Sequence, residues 1–445
     1  MAEGRLASAQ PSFLHSERLL ARAAQPLVRF VHVEAAGGIV LVVATVAALV
    51  WANSPWADSY TTFWRTAVRV DVGTYRFEED LAHLVNDLLM GLFFLVVGME
   101  IKRELVAGEL RDPRAVALPA FAALGGMVVP AAVYVLIVGG DAGGRGWGVP
   151  MATDIAFALG VVALLGSRVP PPVKLLLLTL AIIDDIGAIA VIAVFYTSAV
   201  DVRMIAVAVG IALLVAVIHR IDVTSGVVIM GLGLLLWLAV YESGIHPTIA
   251  GVVMGLLTPA VARQTELEAE EIVDVLETGD DLSAAEVRAA AGAIRGSVSA
   301  CDRLIDALHP WTSFVIVPVF ALANAGIVLS GDTLATPSSV LVGVGVALVA
   351  GKLVGVAAFS WLAVRVGFGR LPTGTRWGHV LGIGDLAGIG FTVSLFIAGL
   401  AYESSELEAD AKVGILLAAV VATVVGTAIL LATSRRAAAA GHSDG

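Results

Sequence analysis

Asp184 and Asp185 stand side by side in an apolar run, Leu180-Ala-Ile-Ile-Asp184-Asp185-Ile-Gly-Ala-Ile189. Acids at the centre of a bilayer are costly, so an adjacent pair there points to bound protons or cations rather than to packing. Residues one step apart on a helix point about 100° apart, so the two carboxylates cannot face one ion squarely. That suits one ligand and one partner for a base, and Lys352, in Val-Ala-Gly351-Lys352-Leu, is the one base inside an apolar run. Two acids in a structural ion pair is the blander reading, and snorkelling to an interface is the alternative for Lys352. A third polar cluster, Gly148-Val-Pro150-Met-Ala-Thr153-Asp154, interrupts another run, and a fourth, Gly382-Ile-Gly384-Asp385-Leu-Ala-Gly388-Ile-Gly390-Phe-Thr392, interrupts a third. Asp154 reads either as an ion-site acid or as a helix N-cap, or both. Carboxylates, hydroxyls and freed carbonyls are the oxygen ligands a small hard cation takes.

The elements that must hold these groups are membrane helices. Of 445 residues, 58% are hydrophobic and 15% charged, with mean hydropathy +0.91; a soluble domain carries about 25% charged residues. A single cysteine, Cys301, excludes a disulfide framework and a cysteine metal cluster, and the net charge of −11 argues against a nucleic-acid partner. Spans of about 20 apolar residues are expected near 33–52, 83–101, 115–138, 149–166, 174–197, 203–219, 223–241, 246–262, 311–329, 338–363, 378–401 and 411–433. The expected fold is therefore an all-α polytopic membrane protein of about 12 transmembrane helices. With the N-terminus in the cytoplasm, 20 of the 27 Lys and Arg residues fall on the cytoplasmic side, six outside, and only Lys352 in a span. The positive-inside rule then puts both termini in the cytoplasm. The polar stretch before residue 30 lacks the pattern of a cleaved signal peptide.

The expected organisation is a cytoplasmic N-terminal segment (1–30), a first membrane part (31–262), an acidic cytoplasmic loop (263–308) to which no chemistry is assigned, a second membrane part (309–434) and a cytoplasmic tail (435–445). Residues 64–77 alternate apolar and polar around Gly73 and read as a small outer β-hairpin, with an ordinary loop as the alternative. The fourth and eleventh spans concentrate Pro or Gly with Thr and Asp at mid-depth, the mark of helices broken where they line a cavity. Each is the middle member of a three-span set, 3–5 and 10–12. The sets are an odd number of spans apart, which is the pattern of two inverted repeats. Where such breaks cross, an acid offsets the helix N-termini and a base the C-termini. Asp154 and Lys352 are the candidates.

At these residues the chain resembles the NhaA-type sodium/proton antiporters. The similarity runs through Glu34-Ala-Ala-Gly-Gly, Trp51-Ala-Asn-Ser, Phe93 to Leu105 with Gly-Met-Glu100-Ile-Lys-Arg-Glu104, Ala152-Thr153-Asp154-Ile-Ala-Phe, Asp184-Asp185, Ser243-Gly-Ile-His246-Pro-Thr, Ala323-Asn324-Ala-Gly and Ala387-Gly-Ile-Gly-Phe-Thr-Val-Ser. The resemblance implies a transporter rather than an enzyme, in a prokaryotic cell membrane, exporting Na+ (or Li+) in exchange for H+ under pH regulation, with no cofactor. It implies Asp185 as the main cation and proton carrier, Asp184 as its neighbour in the Na+ site paired with Lys352, and Thr153 and Asp154 at the crossing. It places Glu100 and Glu104 at the cytoplasmic mouth where pH is sensed, and associates the hairpin with homodimer contact. His246, at an outer helix start, is a further candidate for pH sensing, with a structural role as the commoner reading.

Three features depart from the family pattern. The acidic loop is longer. Arg303-Leu-Ile305-Asp306 stands where an acid linked to pH response is expected. Asp385 is an added acid beside the second break. These bear on pH regulation more than on transport. Sodium and protons competing for the same oxygens would give exchange without leakage, and electrogenic exchange if one Na+ displaces more than one proton. Two rivals remain at this stage. Gly-Ile-Gly384-Asp385 fits a Gly-x-Gly-Asp intramembrane aspartyl protease, but the chain holds no Tyr-Asp dipeptide. A sodium-coupled organic anion symporter would use a similar scaffold but would not need Lys352 beside paired acids.

Overall fold

The computed structural model describes residues 34–73, 75–140, 142–197, 200–221, 225–262, 292, 296–328 and 335–443. The expected N-terminal segment 1–30 and most of the acidic loop 263–308 lie outside these residues. The described chain is helical apart from one two-stranded sheet. The helices are α1 (Glu34–Ala52), α2 (Ala57–Trp64), α3 (Leu81–Val106), α4 (Pro113–Val138), α5 (Ile155–Leu165), α6 (Pro171–Phe195), α7 (Val202–Arg220), α8 (Gly226–Glu242), α9 (Thr248–Leu257), α10 (Ala300–Asn324), α11 (Ser339–Val366), α12 (Trp377–Leu386), α13 (Phe391–Ala401) and α14 (Ser405–Ser443).

Among the described residues, seven helices are long and apolar enough to cross a bilayer, or up to ten segments if each bent pair is one span; α8 and α9 are shorter apolar helices. Two bent pairs fall where the sequence pattern put breaks. A 3-10 segment, Ala142–Met151, meets α5 at 41°, and α12 meets α13 at 46°. The third pair, α1 with α2, turns by 115°.

Close helix packing rests on small residues. A Cβ on Gly125 of α4 would fall 2.2 Å from the Gly355 carbonyl of α11, and one on Gly355 would fall 2.1 Å from the Gly125 carbonyl. Glycines that let backbones touch are how apolar helices associate without a hydrophobic drive. This contact seats Lys352, one turn before Gly355, against Gly126.

The structure departs from the sequence reading in several boundaries. The hairpin is β1 (Ala67–Val72) with β2 (Tyr75–Asp80), not 64–77, in antiparallel register from Ala67 opposite Asp80 to Val72 opposite Tyr75. Trp64 ends α2, and the polar residues 78–80 belong to the strand because Arg69 pairs with Glu78, just as Asp71 pairs with Arg76 nearer the turn. Gly73 takes a φ of 62° at the turn, a conformation that favours glycine. The span expected at 311–329 starts at Ala300, where the Ser299 side chain caps the Asp302 N–H, so the expected loop 263–308 overlaps α10. Pro310 is carried within it, followed by a π-turn at Thr312–Ile316. The expected tail at 435–445 has no boundary at its start, since α14 continues to Ser443. Two further π-turns, Val85–Leu89 in α3 and Ala347–Gly351 in α11, have no sequence signature.

Candidate functional site

The two breaks cross. The Asp154 N–H donates to the Ile389 carbonyl at 2.6 Å, and the Ser394 hydroxyl donates to the Val149 carbonyl at 2.7 Å. Gly388 and Gly390 permit this approach: a Cβ on Gly388 would meet the Leu348 carbonyl at 2.2 Å, and one on Gly390 the Ser394 hydroxyl at 2.1 Å and the Ala152 carbonyl at 2.9 Å. Pro150 lies in the last turn of the 3-10 segment, just before the unwound Ala152-Thr153-Asp154.

Asp154 serves two helix N-termini at once. Its Oδ1 accepts the Phe157 N–H of α5 at 3.0 Å. Its Oδ2 accepts the Thr392 N–H at 3.0 Å and the Thr392 hydroxyl at 2.7 Å, both at the start of α13. A negative group between two such termini offsets their partial positive charge. Both its oxygens are thereby occupied, so its N-cap role is met in full.

Lys352 does the converse. Its Nζ donates to the Met151 carbonyl at 2.6 Å, the Thr153 hydroxyl at 3.0 Å and Asp184 Oδ2 at 2.5 Å. These use all three donors of an ammonium group, and the side chain is fully buried. The Met151 carbonyl ends the 3-10 segment, so the cation meets a helix C-terminus. The π-turn Ala347–Gly351 ends immediately before Lys352. Such one-residue insertions recur at functional sites, where they re-aim a side chain. Thr153 shares its single hydroxyl proton between Asp184 Oδ2 at 2.7 Å and the Ala387 carbonyl at 2.9 Å.

Asp184 thus spends one oxygen on Lys352 and Thr153, while its Oδ1 has no hydrogen-bond partner. Asp185 is also buried, and its Oδ1 is likewise unpartnered. It differs from Asp184 in facing a cavity of about 180 Å³. Thr153, Asp154 and Thr392 line this cavity with Asp185, and Glu100, His309, Thr312 and Ser313 also line it, with Gly37 and Gly38 of α1 beside them. Among the described residues no three His, Cys, Asp or Glu side chains are grouped to hold a metal ion. A cation at Asp185 would therefore complete its shell with hydroxyl, carbonyl or water oxygens.

The remaining candidates separate. Glu100 lines the cavity; Glu104, one turn on, does not, and folds over Gly108 near Arg103. His246 is away from the cavity. Its Nε2 is 3.5 Å from Asp87, its Nδ1 is 2.9 Å from the Thr248 hydroxyl, and its ring meets Phe396 edge-on. Asp385 is fully buried against the backbone of Gly426 in α14, its one nearby polar group, with no well-formed side-chain hydrogen bond. It lies outside the cavity lining and belongs to the α12–α14 interface. Thr392, His309, Thr312 and Ser313 join the site without having been singled out. Thr392 was visible in the Gly-Ile-Gly-Phe-Thr run; the other three carry no pattern that sets them apart from ordinary helix residues.

Comparison with known proteins agrees with this geometry. Residues 28–430 match the family described as Na+/H+ antiporter 1. The chain is 47% identical to the Na(+)/H(+) antiporter NhaA 2 of Myxococcus xanthus, over 96% of this chain and 94% of that protein. It is 46% identical to the Na(+)/H(+) antiporter NhaA of Rhodopirellula baltica, over 92% and 94%. It is 48% identical to the Na(+)/H(+) antiporter NhaA of a Janthinobacterium species, over 92% and 93%. A mostly helical membrane chain with crossed breaks, matched over nearly its whole length, belongs to the Na+/H+ antiporter 1 family.

Proposed function

We propose that this protein is a Na+/H+ antiporter in which Asp185 binds either a proton or a sodium (or lithium) ion and carries it across the membrane. The observation that carries the reading is the division of labour in the acid pair. Asp184 is held by Lys352, whereas Asp185 faces a polar cavity with an oxygen to spare. Thr153 and Thr392, which line the cavity with Asp185, are suited with water to complete a cation's oxygen shell. A proton on Asp185 removes the charge that attracts the cation, so the two cargoes exclude one another.

The transport step alternates access to this one site from the two sides of the membrane, with the crossed breaks as its frame. The arrangement favours twelve spans, counting the long helices, the bent pairs and the two shorter apolar helices. It also favours two inverted repeats: α4 with the first broken pair and α6, and α11 with α12–α13 and α14. Both termini, the acidic loop and the tail lie in the cytoplasm, with the hairpin outside. Glu100 lies on the cytoplasmic access path and senses pH there. Glu104 and His246 act from outside the cavity if they take part. Exchange is electrogenic if Na+ displaces the Asp185 proton and a second one from the Asp184–Lys352 pair; the membrane potential then contributes about 2.3 kcal/mol per net charge per 100 mV. The hairpin has two unpaired edges, and pairing with a second copy would make a homodimer. No step calls for a cofactor.

The test is pH-gradient dequenching in vesicles containing the full chain, wild type against Asp185→Asn. Sodium-dependent dequenching is expected in the wild type and absent in the variant, whereas equal exchange in both would overturn the assignment. An organic anion symporter would instead show no sodium efflux until an organic solute is supplied.

A further inference from the structure

A second cavity, larger than the one at Asp185, opens elsewhere among the described residues. It is a cleft of about 770 Å³ where the first turns of α4 and α6 meet the turn after α11. Arg114 and Arg370 line it, with Leu118, Leu175, Phe368 and Leu371 among its apolar walls, and no carboxylate is in the lining. Neither arginine forms an ion pair or side-chain hydrogen bond with a described residue. Asp112, the nearest acid in sequence, accepts the Arg114 backbone N–H through Oδ1 as the N-cap of α4 and forms no ion pair with either guanidinium group. Two long helices begin here, at Pro113 and Pro171, and neither has an acidic residue in its first turn. Two guanidinium groups without a partner among the described residues therefore line one opening, beside the uncapped start of α6.

This cleft is not a path for the transported cation. Its positive charge repels Na+, and a packed apolar cluster of Ala122, Leu180 and Val356, with Ile183 and Leu371 against it, lies between the helices that run from the cleft toward Lys352. Its volume falls within the roughly 300–1,000 Å³ of ligand pockets. Its rim is apolar and outward-facing, with Leu175 43% and Phe368 61% exposed, and the Phe368 ring stacks on Phe121 at 5.8 Å. A free anion from the aqueous phase has no use for such walls. A phosphate joined to acyl chains does.

We propose that this cleft binds the phosphate headgroup of an anionic phospholipid, with Arg114 and Arg370 on the phosphate oxygens and the acyl chains lying along Leu175 and Phe368. Basic pockets between membrane helices recognise such headgroups, and guanidinium groups meet phosphate in two-pronged fashion. The site is separate from the ion site, so it can fail while the exchange reading stands, and the reverse.

The experiment uses the full chain, delipidated in detergent and titrated with phosphatidylglycerol, phosphatidylcholine or inorganic phosphate. Thermal unfolding and native mass spectrometry are the readouts. Phosphatidylglycerol is expected to bind and raise the unfolding temperature, while phosphatidylcholine and inorganic phosphate at equal concentration do not. In Arg114→Ala/Arg370→Ala the phosphatidylglycerol midpoint is expected to rise about thirtyfold, from the loss of two guanidinium contacts. Arg114→Lys/Arg370→Lys, which keeps the charge but loses the two-pronged geometry, is expected to bind more weakly than wild type and more tightly than the alanine pair. Should the alanine pair not fold, Arg370→Glu in the exposed turn replaces it, with the same expected loss. Equal phosphatidylglycerol binding in the charge-removing variant would overturn the proposal. So would an equal response to inorganic phosphate, which would make the occupant a soluble anion.

Discussion

Lys352 Nζ lies 2.5 Å from Asp184 Oδ2 with both side chains fully buried, while Asp185, the next residue, leaves Oδ1 without a partner beside a cavity. One acid of the pair is neutralised in place, and the other is left with capacity. Stability and transport should therefore separate between two adjacent residues.

Lys352→Ala removes one half of a buried pair and strands Asp184. Breaking such a pair by removing one partner costs about 3–5 kcal/mol. Adding Asp184→Asn to Lys352→Ala should recover part of this loss, because the uncompensated charge is gone. Thermal unfolding of the single and double variants in one detergent checks it. Additive losses would mean that the two groups do not share an interaction.

Asp154 caps α5 and α13 together, so Asp154→Ala loses two helix caps, at about 1 kcal/mol each. Thr392→Val keeps its backbone N–H donor and loses only the hydroxyl bond, for about 1 kcal/mol. Asp154→Ala should be the more damaging variant by denaturant or thermal unfolding. The reverse order would contradict the double-capping geometry.

The crossing was largely legible in the sequence, and its wiring was not. Pro150, Gly388 and Gly390 betray breaks because such residues at mid-span have few other uses. That Lys352 pairs with one acid of the Asp184–Asp185 pair could be read because charge is so rare in the spans; that the acid is Asp184 followed only from the family resemblance. The bridge from Asp154 to Thr392, 238 residues apart, leaves no local trace. Nor does the π-turn before Lys352, since one inserted residue does not disturb an apolar run. The turn at Gly73 was legible, but the hairpin's ends were not, because Glu78, Glu79 and Asp80 look like loop residues until the Arg69–Glu78 pair is seen. Glu100 and Glu104 share a motif and a helix, yet only Glu100 lines the cavity; one helical turn is enough to carry a side chain out of it.

That last separation is measurable. Glu100→Gln removes a negative charge from the cavity wall and should raise the KM for Na+ about fivefold, the equivalent of about 1 kcal/mol. Glu104→Gln and His246→Ala, outside the cavity lining, should leave KM unchanged. Sodium titrations of exchange at fixed pH compare the three. A larger effect from His246→Ala than from Glu100→Gln would contradict the proposed access path past Glu100.

Asp385 buries its carboxyl group with only the Gly426 backbone beside it, which is costly, and it lies outside the cavity at Asp185. Asp385→Leu should raise the unfolding temperature, by relief of about 1–3 kcal/mol of desolvation, with KM and maximal rate unchanged. Loss of exchange in a folded Asp385→Leu protein would bring this acid into the transport site.

Competition at Asp185 is tested most directly by the KM for Na+ as a function of pH, measured as sodium-evoked current or exchange in vesicles. If one carboxyl holds either cargo, KM should rise by about tenfold for each pH unit lowered on the acid side, with maximal rate constant. A KM that stays flat with pH while the maximal rate falls would mean that protons act elsewhere, and that Asp185 is not the shared site.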